Sequence, residues 1–290
     1  MANPEAGKHR YFTELAPKYS QFTGNTTRDL FNEVLDHRNG LSISSDSVVH
    51  DNAAGPGTAA EALITWCHKH NSAATPKIVV TDYVPAMIEA CEAIRATKHQ
   101  DDALWQSVAL AVTDSADLKD YGDNYFTHSI CNFSIFNLTH PDKCLQEMRR
   151  TLQPGGTAVV TCWKRFAAED LLSAAQRVVK GDEWANAHRI PAAGPQYLEE
   201  GYTARLVQDA GFPSDTVETF ALKKVVAEGG DDWRGLYEFL TTSSLKNAAT
   251  REWSEEELAK WPDAVAAAMQ KENDSFGGLL FEAWVAIARK

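Results

Sequence analysis

No apolar run in this 290-residue chain approaches the roughly 20 residues that cross a bilayer, so an integral membrane protein is not expected. Cysteine is scarce and poorly spaced for metal or disulfide work. The five (Cys67, Cys91, Cys131, Cys144 and Cys162) are odd in number, and none forms a Cys-x-x-Cys pair. That argues against a disulfide frame or a zinc site and favours reduced thiols inside a cell. Basic residues are also in the minority, 28 against 40 acidic, for a net charge of −12. A nucleic-acid partner would ordinarily require a basic face, so neither DNA nor RNA is the expected substrate. The polar residues 1–11 carry no apolar signal-peptide core, so a cytoplasmic location is expected. There is no internal repeat and no low-complexity tract. The remainder, 44% hydrophobic and 23% charged, has the composition of an ordinary globular protein.

What is present is an alternation of strand and helix signals. Strands are expected at 48–51, 77–82, 107–112, 125–132 and 157–163, and helices at 58–70, from 85 to about 98, and 141–152. Five strands spaced by helices predict a doubly wound parallel sheet with right-handed crossovers. Residues 12–19 and 27–35 read as a helical cap ahead of the sheet. Beyond Trp163 the alternation loosens. Helices are expected at 167–180, 197–210 and through much of 229–275, with strands at 216–227 and 279–288. Gln153, Pro154, Gly155 and Gly156 predict a tight turn into the fifth strand.

The stretch 48–58 organises the rest. Its strand ends in Asp51, passes through Ala53, Gly55 and Gly57, and opens a helix. There Thr58 as N-cap and Glu61 three residues on predict a capping box. A strand, a glycine turn and a helix start form the nucleotide corner of an open α/β sheet. Asp51, Asp82, Asp114 and Asn132 end four successive strands, so they would line one crevice. Asp82 stands at a distance suited to ribose hydroxyls. Residues 55–60 also fit G-x-G-x-x-A, which keeps an NAD(P)-dependent oxidoreductase open. Against it, the chain contains no Tyr-x-x-x-Lys, and the motif leaves Asp114 and the Pro-Gly-Gly turn unexplained.

These residues resemble the motifs of class I S-adenosylmethionine-dependent methyltransferases. Asp51 with Ala53, Gly55 and Gly57 resembles the first motif, Asp82 the acid after strand 2, and Asp114-Ser115 the adenine-contacting pair. Residues 152–156 resemble the leucine-lysine-proline-glycine-glycine turn. The likeness runs over residues 12–163 and is closest to the ubiquinone/menaquinone-biosynthesis type and to fungal secondary-metabolism enzymes. It implies an α/β, Rossmann-like sheet, mostly parallel with an antiparallel edge strand, a helical N-terminal cap (1–40), a cofactor core (41–163) and lid insertions (164–290) in a single domain. It implies S-adenosylmethionine as cofactor, with S-adenosylhomocysteine as product. The implied contacts are Tyr19, Asp51, Ala53, Gly55, Gly57, Asp82, Tyr83, Met87, Asp114, Ser115 and Asn132. Ala53 replaces the family's first glycine, a change that is tolerable if the residue keeps a negative φ and otherwise implies an altered cofactor fit.

An already activated methyl leaves the protein to align reactants and exclude water, which can lower a barrier by about 7–11 kcal/mol. No metal is expected. The segment Cys131-Asn132-Phe133-Ser134 lacks the Asn-Pro-Pro-Tyr motif used on exocyclic amines, so the expected acceptor is a small, partly apolar molecule methylated on O, N or S. Tyr11, Phe22, Phe133, Phe136 and Trp163 are candidates for its wall. His188, His140 and His128 are the candidate bases by chemistry, although a thiol or amine acceptor would need none. A regulatory protein that kept the fold without the chemistry is a third reading. The oligomeric state is not legible.

Overall fold

The computed structural model describes residues 4–19, 23, 25–37, 41–70 and 75–290. Helices α1 (Pro4–Leu15) and α2 (Thr26–Leu35) precede strand β1 (Val48–Asn52). Helix α3 (Thr58–Lys69), strand β2 (Lys77–Asp82), helices α4 (Pro85–Lys98) and α5 (Ala103–Gln106) and strand β3 (Ala109–Val112) follow. Strand β4 (Phe126–Asn132), helix α6 (Pro141–Thr151) and strand β5 (Leu152–Arg165) complete the parallel part. The rest comprises α7 (Ala167–Lys180), α8 (Asp182–Ala187), α9 (Tyr202–Asp209), β6 (Val217–Val226), α10 (Asp231–Thr242), α11 (Ser244–Ala249), α12 (Glu255–Phe276) and β7 (Leu279–Arg289).

The seven strands form one sheet in the order β3-β2-β1-β4-β5-β7-β6. β1 pairs in parallel with both β2 and β4, and this reversal of strand order opens a crevice at the strands' carboxyl ends. β7 runs antiparallel to both β5 and β6, so the reversed strand stands one in from the edge. Strand alternation divides the core between the two faces. Ile78 and Val80 pack with Leu63 and Cys91 on one face, and Val79 packs with Cys131 and Leu145 on the other. A third apolar cluster joins α7, α10 and α12 to β5, with Trp163, Trp261 and Phe281 among its members.

Three local expectations are corrected. Gly57, at φ +85°, is the N-cap of α3, and Thr58 makes no capping bond. The side chain that fills this role is Asp51, whose Oδ2 accepts the Ala60 N–H at 3.0 Å. A carboxylate ending β1 therefore satisfies an amide that the first helical turn leaves unpaired. Residues 153–156 are not a free turn. They lie within β5, where the Gly155 N–H donates to the Lys290 carbonyl, and the Lys290 N–H donates back to Gly156. The helix expected over 197–210 is split by Gly201, leaving a 3-10 turn at Pro195–Leu198 and α9 after it. Among the described residues, no helix is long and apolar enough to cross a membrane.

Candidate active site

Where β1, β2, β3 and β4 end, a cavity of about 530 Å³ opens, within the roughly 300–1,000 Å³ of small-molecule sites. Its sheet-end wall carries Gly55, Asp82, Asp114, Ser115 and Asn132, and α1 with Tyr19 closes over them. Gly55 takes φ +56°, and a Cβ there would meet only Met87 Sδ at 3.9 Å and Tyr19 Cε2 at 4.0 Å. The loop backbone is thus open to a ligand on that side. Asp82 is spanned by backbone amides: Gly55 N–H donates to Oδ2 and Val84 N–H to Oδ1, both at 2.8 Å. Burial raises its pKa despite those bonds. Burial also pushes the Asp51 carboxyl from 3.8 up to about 8, with Asp82 adding a like-charge contribution. Asp51 Oδ1 has no partner. Of the two buried acids only Asp82 faces the cavity, and a cationic ligand beside it would relieve the cost of ionising it.

Asn132 ties the floor together. Its Nδ2 donates to the Thr27 carbonyl at 3.3 Å, and its Oδ1 accepts the Thr161 hydroxyl at 2.8 Å. The condition of a negative φ at Ala53 is not met: Ala53 sits at φ +52°, and Phe133 across the crevice takes the same value. Neighbours hold both. The Ser134 hydroxyl donates to the Ala53 carbonyl at 2.7 Å, and the Phe133 N–H donates to Thr161 Oγ1 at 2.9 Å. Left-handed non-glycine residues persist only where surrounding bonds over-determine them, and they cluster at functional sites.

The other half of the cavity is aromatic. Phe133 lies 4.1 Å from Trp163, and Trp163 lies 4.8 Å from Phe166, centroid to centroid. Phe136, Tyr11 and Phe12 also face the space. Burial raises the Tyr19 and Tyr11 phenols, so both present as neutral hydroxyls.

Of the residues singled out from sequence, Tyr19, Ala53, Gly55, Asp82, Tyr83, Met87, Asp114, Ser115 and Asn132 line the cavity, as do Tyr11, Phe133, Phe136 and Trp163. Asp51 and Gly57 do not line it. Asp51 caps α3 from behind the loop, and a Cβ on Gly57 would meet Cys91 Sγ at 2.8 Å, so that glycine serves helix packing. Phe22 lies outside the described residues. His140 lines the cavity from the start of α6. His188 does not: it stacks on Trp184 at 3.6 Å, and its Nδ1 bonds the Trp184 carbonyl at 2.9 Å. His128 is held within the fold between the Leu41 carbonyl and Thr127 Oγ1, and burial lowers its pKa. Sequence reading missed His9, Glu169, Leu172, Leu245 and the segment 190–192, all of which line the cavity. Only Glu169 left a signal, as a lone acid three residues from both Phe166 and Leu172 on an apolar helix face.

This sheet order, with a cavity at the switch point beneath the acid-ended strands, defines a Rossmann-like, class I methyltransferase fold. Residues 51–160 match the methyltransferase domain family. That match covers the strand-end core of the sheet, and the cofactor of such domains is S-adenosylmethionine. It is 36% identical over 137 residues to a methyltransferase of an Acremonium species, ucsB, an alignment covering 46% of each chain. The chain thus spans about half the length of that relative. To the Aspergillus niger methyltransferase ktnA it is 25% identical across the whole of both chains. A ubiquinone/menaquinone biosynthesis C-methyltransferase of Bordetella avium is 43% identical over 58 residues, 20% of this chain and 22% of that one. Among solved structures, a putative sarcosine dimethylglycine methyltransferase from Galdieria sulphuraria superposes with a TM-score of 0.51 at 16% identity, covering 91% of this chain and 85% of that one. At that identity, the superposition speaks for the fold alone.

Proposed function

We propose that the chain transfers a methyl group from S-adenosylmethionine to an O, N or S nucleophile of a small, partly apolar metabolite, without a metal. The observation that carries this is one continuous cavity with two chemically distinct halves. The strand-end half offers Asp82, Asp114, Ser115 and the open face of Gly55, donors and acceptors suited to a polar, cationic nucleoside. The half walled by Phe133, Trp163 and Phe166 suits an apolar ring. When bound, the cofactor supplies a methyl already activated on a sulfonium sulfur. The chain's own contribution is to orient the two partners and exclude water, with α1 and Tyr19 covering one side and the segment 190–192 the other. His140 is the one imidazole on the α6 side that could take a proton from a hydroxyl acceptor. Likeness to the two fungal methyltransferases supports a secondary metabolite as acceptor, and the five free, buried cysteines support a reducing cytoplasm. Titration with S-adenosylhomocysteine tests the cofactor half, and the absence of binding would overturn the reading. Incubation with S-adenosylmethionine and a metabolite panel, scored for a mass gain of one methyl, tests the transfer.

A further inference from the structure

We infer that Glu169 is the specificity-determining residue of the acceptor half, selecting neutral, ring-bearing acceptors that carry a hydroxyl or N–H donor. This rests on the methyl-transfer reading only for the identity of the site. Glu169 is in the first turn of α7, is 7% exposed, and lines the cavity together with the apolar Phe166, Leu172, Ile190 and Pro191. It is carried by α7, whereas Asp82 ends β2 and Asp114 follows β3. A carboxylate enclosed this way needs partners, and it has two. Arg189 Nε donates to Oε1 at 2.7 Å, and the Ala192 N–H donates to Oε2 at 3.0 Å.

Three consequences follow from those bonds. First, they fix the carboxylate plane and tie the cavity-lining segment 190–192 to α7. Second, the Arg189 guanidinium, 56% exposed, offsets the charge, so the subsite does not require a cationic ligand. Third, a carboxylate has about four lone-pair positions, and two are taken. Those left can only accept, so a molecule entering here must bring a donor. An acceptor with only carbonyl or ether oxygens would leave the carboxylate desolvated and unpaired, and sites built in this way discriminate sharply. The aromatic wall of Phe133, Trp163 and Phe166 supplies the surface for a flat ring.

The test uses 2-naphthol and 2-methoxynaphthalene, which share a ring system and differ in the donor, titrated calorimetrically into the full chain with and without S-adenosylhomocysteine. The wild type is expected to bind 2-naphthol at least about tenfold tighter. Glu169→Leu should bring that ratio close to one without weakening 2-methoxynaphthalene. Glu169→Gln, the conservative variant, keeps one acceptor oxygen but sets its NH2 against the Arg189 or Ala192 donor, and should retain part of the 2-naphthol preference that Glu169→Leu abolishes, a rescue that a purely space-filling role would not produce. Arg189→Met keeps the carboxylate and should keep the preference. A wild-type ratio near one overturns the assignment, as does a preference that survives in Glu169→Leu or is lost in folded Arg189→Met. Failure of S-adenosylhomocysteine to bind the wild type, with the naphthol preference intact, would instead remove the methyl-transfer reading and leave this one standing.

Discussion

Ala53→Gly should stabilise the protein, an unusual direction for an alanine-to-glycine change. The left-handed region costs a residue with a Cβ roughly 1–2 kcal/mol, and Ala53 lies in it at φ +52°. Glycine removes that cost but adds unfolded-state freedom worth about 0.4–1 kcal/mol. The midpoints of those ranges leave a net gain of about 0.8 kcal/mol, within bounds of about 0 and 1.6, or roughly 2–3 °C in Tm for a chain of this size. The neighbouring bonds should persist, because Ser134 Oγ donates to the Ala53 carbonyl and the Ala54 N–H donates to the Thr81 carbonyl at 3.0 Å. Neither bond involves the Ala53 side chain. Urea unfolding and a thermal melt of Ala53→Gly measure the change. Ala90→Gly, within α4, is the control and should cost about 1 kcal/mol, the ordinary penalty for glycine in a helix. The reasoning fails if Ala53→Gly destabilises by a similar amount, since that would mean a negative φ at 53. Affinity for S-adenosylhomocysteine should change little, because the ligand-facing backbone keeps its path.

The buried Asp51 makes stability depend on pH. Its folded pKa of about 8 lies above the usual 3.8, so the folded state holds a proton that the unfolded state has lost, and stability declines as pH rises toward 8. His50, lowered to about 3 by burial, acts in the opposite sense but only below its unfolded value near 6.5. Between pH 6.5 and 8 the decline should therefore be about 1–2 kcal/mol, and Asp51→Asn should flatten most of it in urea titrations. An equal slope in both proteins would contradict the assignment. Asp82→Ala removes acceptors for Gly55 and Val84 as well as a cavity-lining carboxylate that we propose meets the cofactor. Calorimetry should show S-adenosylhomocysteine binding weakened about 10- to 100-fold, each charge-assisted bond being worth ~1.5–3 kcal/mol. Gly57→Ala drives a Cβ to 2.8 Å from Cys91 Sγ at φ +85°, and overpacking plus strain should cost about 2–4 kcal/mol. Cys91→Ala in the same chain should restore the steric part, and denaturation of both variants checks it.

The sheet could be read in advance because its information is local. Lys77–Asp82 is a continuous apolar run ending in an acid, and the observed strand has those bounds. The strand-end half of the cavity was legible for the same reason: its residues end strands, and one register places them together. Asp51 and Gly57 show where such reading stops. Motif spacing puts them beside the ligand, whereas three-dimensional packing gives one to the amide of Ala60 and the other to the sulfur of Cys91. Thr58 is not the cap because Gly57 holds the N-cap position and the Asp51 carboxylate takes the Ala60 amide. The acceptor half was largely hidden. Glu169, Ile190 and Leu245 come from three separate segments, and nothing in their own neighbourhoods reports that they converge.

That asymmetry bears on how the chain can specialise. The strand-end half is fixed by a strained, densely bonded corner in which Ser134, Asn132 and Thr161 hold Ala53 and Phe133 in left-handed conformations, so changes there propagate into the backbone. The acceptor half is a set of side chains hung from α7, α11 and the segment 190–192, most joined by apolar contact alone. Substitution among Leu172, Ile190 and Leu245 alters volume at a cost set by packing, leaving the corner untouched. Glu169 is the exception, since its two hydrogen bonds bind one wall of the acceptor half to the helix carrying another. Acceptor choice can therefore change by apolar repacking while the polar anchor stays. Replacing the anchor would change both which hydrogen-bonding group is recognised and how the wall around it is held.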